Sequence, residues 1–171
     1  SNDGIFYLFI SIYNQTMQRD NAEKHYYFKV EFYKAIHDYL KGNYQVFYAT
    51  LDDQIIAVSI ILYANKQIHY HLSGSLSEYR SFAPTNLLLY EVALWGHQQG
   101  YKTFHLGGGL GSGNDNLYKF KAAFNRNSGL QFSIGKQIFN QALYNQLVEE
   151  RLAEDPNFDL EGKYFPLYRA K

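Results

Sequence analysis

Apolar residues at Ile5, Leu8, Phe9, Ile12 and Tyr13 recur at helical spacing and give way to a polar stretch at 15–21, which predicts a helix over 5–18. A second stripe, Phe28, Phe32, Ala35, Ile36 and Tyr39, predicts a helix over 28–40 closed by Gly42. The period then shortens to two. Segments 44–51, 55–63 and 67–72 read as strands separated by Asp52-Asp53-Gln54 and Ala64-Asn65-Lys66, a three-stranded antiparallel meander with short turns. Helical spacing returns from Pro84 to Gly100, with Leu87, Leu88, Tyr90, Ala93, Leu94 and Trp95 inside it. A short strand at 102–106, a glycine loop at 107–113 and a short helix at 116–123, capped by Asn114 or Asp115, follow. Leu117, Phe120 and Phe124 are the expected buried stripe of that helix. A further strand at 130–135, an amphipathic helix at 141–152 and an irregular tail tied down by Phe158, Tyr164, Phe165 and Tyr168 complete the chain. With no repeat, linker or low-complexity tract, 1–171 reads as a single domain.

Composition narrows the chemistry. The 171 residues include no cysteine, which removes a disulfide scaffold, cysteine-liganded zinc and a thiol nucleophile. Sixteen basic and sixteen acidic side chains cancel, so a uniformly basic nucleic-acid binder is excluded. The balance is uneven locally. From Tyr101 to Asn140, Lys102, Lys119, Lys121, Arg126 and Lys136 face Asp115 alone, a net of +4 that suits a phosphate-bearing partner. The apolar runs at 5–10 and 55–62 fall far short of the roughly 20 residues that span a bilayer, and no signal peptide is visible, so a cytoplasmic location is expected.

The element order resembles the core of the GNAT acyltransferase fold, entered just after its first strand. The implied class is α/β (α+β): a mixed, mostly antiparallel sheet with splayed parallel central strands, flanked by helices. Segments 67–72 and 102–106 would be the parallel pair, joined by the 84–100 helix. The detail is more specific. Tyr13-Asn14-Gln15-Thr16-Met17-Gln18-Arg19 and Tyr26-Tyr27-Phe28 come first. Tyr70-His71-Leu72-Ser73-Gly74-Ser75, Asn86-Leu87-Leu88-Leu89-Tyr90-Glu91, Phe104-His105-Leu106-Gly107-Gly108-Gly109 and Leu117-Tyr118-Lys119-Phe120-Lys121 follow in order. Together, over about 5–145, they resemble the Fem-type transferases of the GNAT superfamily. Such enzymes move an amino acid from aminoacyl-tRNA to the amine of a peptidoglycan precursor and carry two GNAT-like halves. The resemblance implies that this chain is the second half, with a GNAT-like domain upstream.

Amine attack on an activated carbonyl needs a neutral amine, a donor for the oxyanion and an acid for the leaving group. Lys121 and Tyr118 lie three apart on the short helix and share a face, as a snorkelling Lys beside a packing Tyr would also do. The resemblance puts the donor-side, transition-state contact on Lys121, beside Phe120, and the general acid of many GNAT acetyltransferases on Tyr118. Gly107, Gly108 and Gly109 are expected to let backbone pass close to a substrate, the alternative being a flexible turn; the loop is no Walker motif, since Asn114-Asp115 replaces Lys-Ser/Thr. His69 and His71 share a strand face beside His105, and His71 is the candidate base for the incoming ammonium; as a metal site the trio lacks a carboxylate, and none is expected. Acetyl-CoA users of this fold cradle pyrophosphate on a glycine-rich turn, whereas Arg80-Ser81-Phe82-Ala83-Pro84-Thr85-Asn86 has no glycine and Pro84 has no N–H. Arg80 could still meet a phosphate, with Asn86 at the start of the helix. The absent glycines put acetyl-CoA in doubt, and the Fem-type resemblance implies aminoacyl-tRNA as the donor, needing no cofactor, with acetyl-CoA or another acyl-CoA as the alternative. A third reading is a non-catalytic half that docks a partner domain or a nucleic-acid end.

Overall fold

The structure is a computed structural model that describes residues 2–110, 113–127 and 129–170. It divides into two compact units, 1–127 and 128–171. The first holds the sheet. Helix α1 (Asn2–Arg19) and helix α2 (Val30–Tyr39) precede strands β1 (Tyr44–Leu51), β2 (Gln54–Ala64) and β3 (Gln67–Ser75). A 3-10 turn at Ser77–Phe82, helix α3 (Pro84–Gln98), strand β4 (Thr103–His105) and helix α4 (Asn116–Ala122) follow. Strand order is β1-β2-β3-β4, antiparallel as far as β3 and parallel between β3 and β4, with α3 as the crossover. The mixed sheet and its parallel final pair are those the sequence predicts.

Strand β2 is buried from Ile56 to Ile61 because helices cover both its faces. Val58 and Ile60 pack with Phe6, Phe9, Ile12 and Tyr13 of α1 and Tyr33 and Ile36 of α2. Ala57 and Ile61 point the other way, toward Leu88 and Val92 of α3. Each large side chain removed from water in this way contributes about 2 kcal/mol. Burial holds the phenols neutral: Tyr13 is pushed up to about 12, and Tyr33, with Tyr13 beside it, higher still.

Strand β3 changes phase midway. Ile60 pairs with Leu72 and Ile61 with Tyr70, so His71 is an extra residue, a β-bulge. Ile68 and Tyr70 therefore pack on the α3 side, while Leu72, also even-numbered, packs on the α1 side. Gly74 then lies under α1, where a Cβ would come 2.8 Å from the Tyr13 Cα and 2.9 Å from the Ile12 carbonyl oxygen. The same corner is hydrogen-bonded. The Ser75 N–H donates to Thr16 Oγ1 (2.9 Å) and Arg19 donates to the Ser75 carbonyl (3.0 Å).

Three sequence expectations fail, each for a packing reason. Tyr39 is 85% exposed, because the buried face of α2 runs through Tyr33 and Ile36 rather than the stripe through its end. Leu117 and Phe124 are exposed, since α4 buries none of its residues, and Phe120 meets Phe124 edge-on (5.6 Å) instead. Segment 130–135 is not a strand: no partner strand pairs with it among the described residues, and Leu130, Phe132 and Ile134 are exposed.

The second unit contains helix α5 (Gln141–Glu154) and the tail. Asn140 caps α5 through the Leu143 N–H (3.0 Å). Phe165 stacks on Tyr144 and Tyr168 meets it edge-on, Phe158 is buried, and Tyr164 is exposed. Three of the four tail aromatics thus make the contacts expected of them.

Candidate functional site

Strands β3 and β4 pair at only three positions, ending with His69 opposite His105. Beyond that rung β3 runs on to Ser75 along β2, while the chain leaving β4 turns away through Leu106 and Gly107. The fork is the splayed pair the sequence predicts. Gly107 makes the turn in the left-handed region (φ +75°), which glycine enters without cost.

Lys121 of α4 reaches back into this fork. Its Nζ donates to the Gly108 carbonyl at 2.8 Å and lies 5.7 Å from the centre of the Tyr70 ring. A Cβ on Gly107 would stand 3.2 Å from that nitrogen. Partial burial lowers the Lys121 pKa, opposed by the charge of Asp115. An ammonium has three N–H groups, so two remain for a substrate oxygen.

Asp115 organises the loop. One carboxylate oxygen caps α4 through the Tyr118 N–H, and the other accepts from the Leu110 N–H, both at 2.8 Å. These bonds hold its pKa below the usual carboxylate value. A Cβ on Gly109 would collide with this carboxylate and with the Gly113 carbonyl oxygen, whereas one on Gly108 would meet nothing. Within the predicted glycine loop, Gly111 and Ser112 lie outside the described residues.

Three histidines complete the fork. His69 and His105 face each other with 2.9 Å between their Nδ1 atoms and rings stacked at 23°. His71, the bulge residue, lies 6.0 Å from His69 ring to ring and 6.3 Å from Phe32 of α2. Burial lowers the His71 pKa; burial, then His105 and His71, lower that of His69. Among the described residues no three His, Asp or Glu side chains group as metal ligands.

The structure thus gathers Lys121, Gly107, Gly108 and His71 around the fork, with His69, His105 and Tyr70 among them. Tyr118 shows a backbone N–H bond to Asp115, and its exposed phenol makes no hydrogen bond to Lys121 or the histidines among the described residues. Phe120 turns to Phe124. Arg80 and Asn86 are exposed at the α3 end of the unit. That end offers few free amides. The Ala83 N–H bonds to Arg80, those of Asn86 and Leu87 bond to the Ala83 carbonyl, and Pro84 has none, leaving Thr85 alone in that turn. A pyrophosphate cradle of several amides does not fit there. Sequence reasoning missed Tyr70 beneath Lys121 and the pairing of His69 with His105. The second was signalled only by register, which a single sequence does not carry.

Comparison with known proteins places the fold. An aminoglycoside acetyltransferase, meta-AAC0020 from an uncultured soil metagenomic sample, solved in complex with sisomicin, superposes with a TM-score of 0.58 over 81% of this chain and 90% of its own, at 11% identity. No curated protein sequence matches the chain significantly. The family described as acetyltransferase (GNAT) domain matches residues 3–122, which take in α1 through α4 and every residue of the fork. With its sheet, its parted parallel strands and this match over most of its length, the chain belongs to the GNAT family and is an acyltransferase.

Proposed function

We propose that this domain transfers an aminoacyl group to an amine, in the manner of the Fem-type enzymes, with the reaction at the fork between β3 and β4. The observation that carries the site is Lys121, half-buried and anchored on the Gly108 carbonyl with two N–H groups to spare. In that position a cation stabilises the oxyanion formed when an amine attacks an ester carbonyl. Gly107 and Gly108 admit the substrate backbone, His71 is the nearby base for the ammonium, and Tyr118 reaches the leaving group only by turning its exposed ring inward. The donor reading rests on α3. With the amides of its first turn bonded internally or absent, a phosphate there is left with Arg80 and one N–H, which favours an aminoacyl-tRNA donor over a CoA thioester. Acceptor chemistry follows the Fem likeness: an amine-bearing peptidoglycan precursor, with an upstream GNAT-like domain as the partner surface.

The second reading, acetyl transfer from acetyl-CoA, is favoured by the family's acetyltransferase description. Supplying labelled aminoacyl-tRNA or acetyl-CoA with an amine acceptor separates the two. Transfer from the tRNA supports the first; turnover of acetyl-CoA, with its pyrophosphate protecting residues 80–86 from hydrogen exchange, overturns it. Lys121→Ala is expected to lower transfer by about 100-fold or more while the unfolding midpoint stays in place. Near-normal turnover by that variant would remove Lys121 from the site.

A further inference from the structure

We infer that His69 and His105 share one proton and act as a couple that carries the proton lost by the incoming amine from the fork to solvent. The inference rests on the amine-transfer reading above. Two imidazole nitrogens 2.9 Å apart attract only when one bears hydrogen and the other a lone pair. Two N–H groups or two lone pairs at that distance repel. A single proton therefore lies between the Nδ1 atoms. When both rings are neutral, one Nε2 is then a lone pair and the other an N–H, so the couple has an acceptor at one end and a donor at the other.

Its position suits transport. The pair occupies the last rung before the strands part, with His69 half-buried and His105 exposed on the sheet's edge strand. Lys121, on α4, is close enough to act on His69 electrostatically. The charged groups that act on His69 are the His105 ring on β4, His71 on its own strand and Lys121, each of which is cationic when charged, while a hydrogen bond to the His105 backbone favours the charged ring. None is a carboxylate, so the His105 backbone bond alone favours an imidazolium at His69, and burial and the neighbouring cations outweigh it. A group that must accept a proton and pass it on needs that balance.

The step is a proton relay. The ammonium N–H bond breaks, its electron pair stays on nitrogen, and the proton joins the His69 Nε2 lone pair. The His69 Nδ1 proton crosses to His105 Nδ1, and the His105 Nε2 proton leaves to water. The tautomers are now exchanged. A proton returning by the same path to the departing group of the donor restores them. The second amine proton goes to water as the amide forms, so each turnover releases one proton net.

Ring ¹⁵N spectra of the labelled full chain between pH 8 and 4.5 test the sharing without any substrate. Expected is joint movement of both Nδ1 signals as the couple takes up one proton, with the second uptake displaced to lower pH. Two rings that titrate independently would overturn the couple whatever the activity. The relay is tested by His105→Gln, which keeps a polar partner for His69 but cannot pass a proton. Transfer is expected to fall about 100-fold at pH 7, with the acid limb of its pH profile displaced and partial recovery in added imidazole. A wild-type rate and profile in that variant would refute the relay and leave a purely structural contact. Absence of transfer by the unaltered protein from either donor would instead count against the amine-transfer reading, which the ring spectra do not address.

Discussion

Strand β3 meets its two neighbours in opposite ways. Toward β2 it is paired along its length, and over Gly74 the backbone of α1 sits so close that a methyl group has no room. Toward β4 it is paired at three positions and then released. The closed side spends its contacts on apolar packing and on Thr16 and Arg19, which tie α1 to Ser75. The open side has little burial and many polar groups: Lys121 and the His69–His105 pair, each held by one hydrogen bond, Asp115 held by two, and His71. One strand thus serves as a fixed floor along one edge and as one bank of a cleft along the other. Rigid backing for a lightly packed site is what positioning of reacting groups demands.

The contrast can be broken from either side. The largest effect is expected at Gly74→Val, where the obstacle is helix backbone rather than a mobile side chain. It should cost about 3 kcal/mol, read as a fall in the urea midpoint; an unchanged midpoint would mean that the closed side yields. Gly109→Ala attacks the open side. Its methyl group would displace Asp115 or the Gly113 carbonyl, so transfer should drop about 100-fold while the thermal midpoint barely moves. If stability fell and activity survived, the loop would be structural and the division between the two sides would fail.

The smallest effect is in the pH dependence of stability. Burial lowers the pKa values of His71 and His69 in the folded chain, while the unfolded values are about 6.5. Between folded and unfolded values the unfolded chain binds more protons. The stability these rings contribute is therefore complete above about pH 6.5 and is lost as pH falls through the window below it. Urea midpoints measured from pH 7.5 to 5 should decline, and His71→Phe should flatten part of that decline. A slope unchanged by the substitution would place the cause elsewhere.

Element type and order were legible because period and punctuation agree in this chain. Asp52-Asp53 and Asn65-Lys66 take up positive φ in the hairpin turns, Pro84 opens α3, and Asp115 caps α4. Lys121 is singled out by the face it shares with Tyr118 and by the Phe120-Lys121 pair of the family resemblance, and the structure sets its amine on the Gly108 carbonyl. Burial on single elements was read less well. A stripe through Leu117 and Phe124 looks like a core face, but a short helix at the cleft has nothing to bury it against. Leu130, Phe132 and Ile134 alternate as a strand does, yet a strand also needs a partner edge, and alternation does not supply one. The histidines are expected on neighbouring strands, but the pairing of His69 with His105 was not legible for a related reason. His69 and His105 are 36 residues apart, and only the parallel register sets them side by side.

The extra residue at His71 acts as a phase reset for the strand that carries it. Upstream of it even-numbered positions answer to α3, and downstream they answer to α1, so the two stretches are constrained by different neighbours. A substitution scan along β3 would therefore show tolerance rising and falling every second residue, with one skipped beat at position 71. Removing that residue would leave Tyr70 opposite Ile61 and Leu72 opposite Ile60 in unbroken alternation, so Leu72 and Gly74 would keep their faces and the loss would be felt at the fork, where the bulge itself disappears.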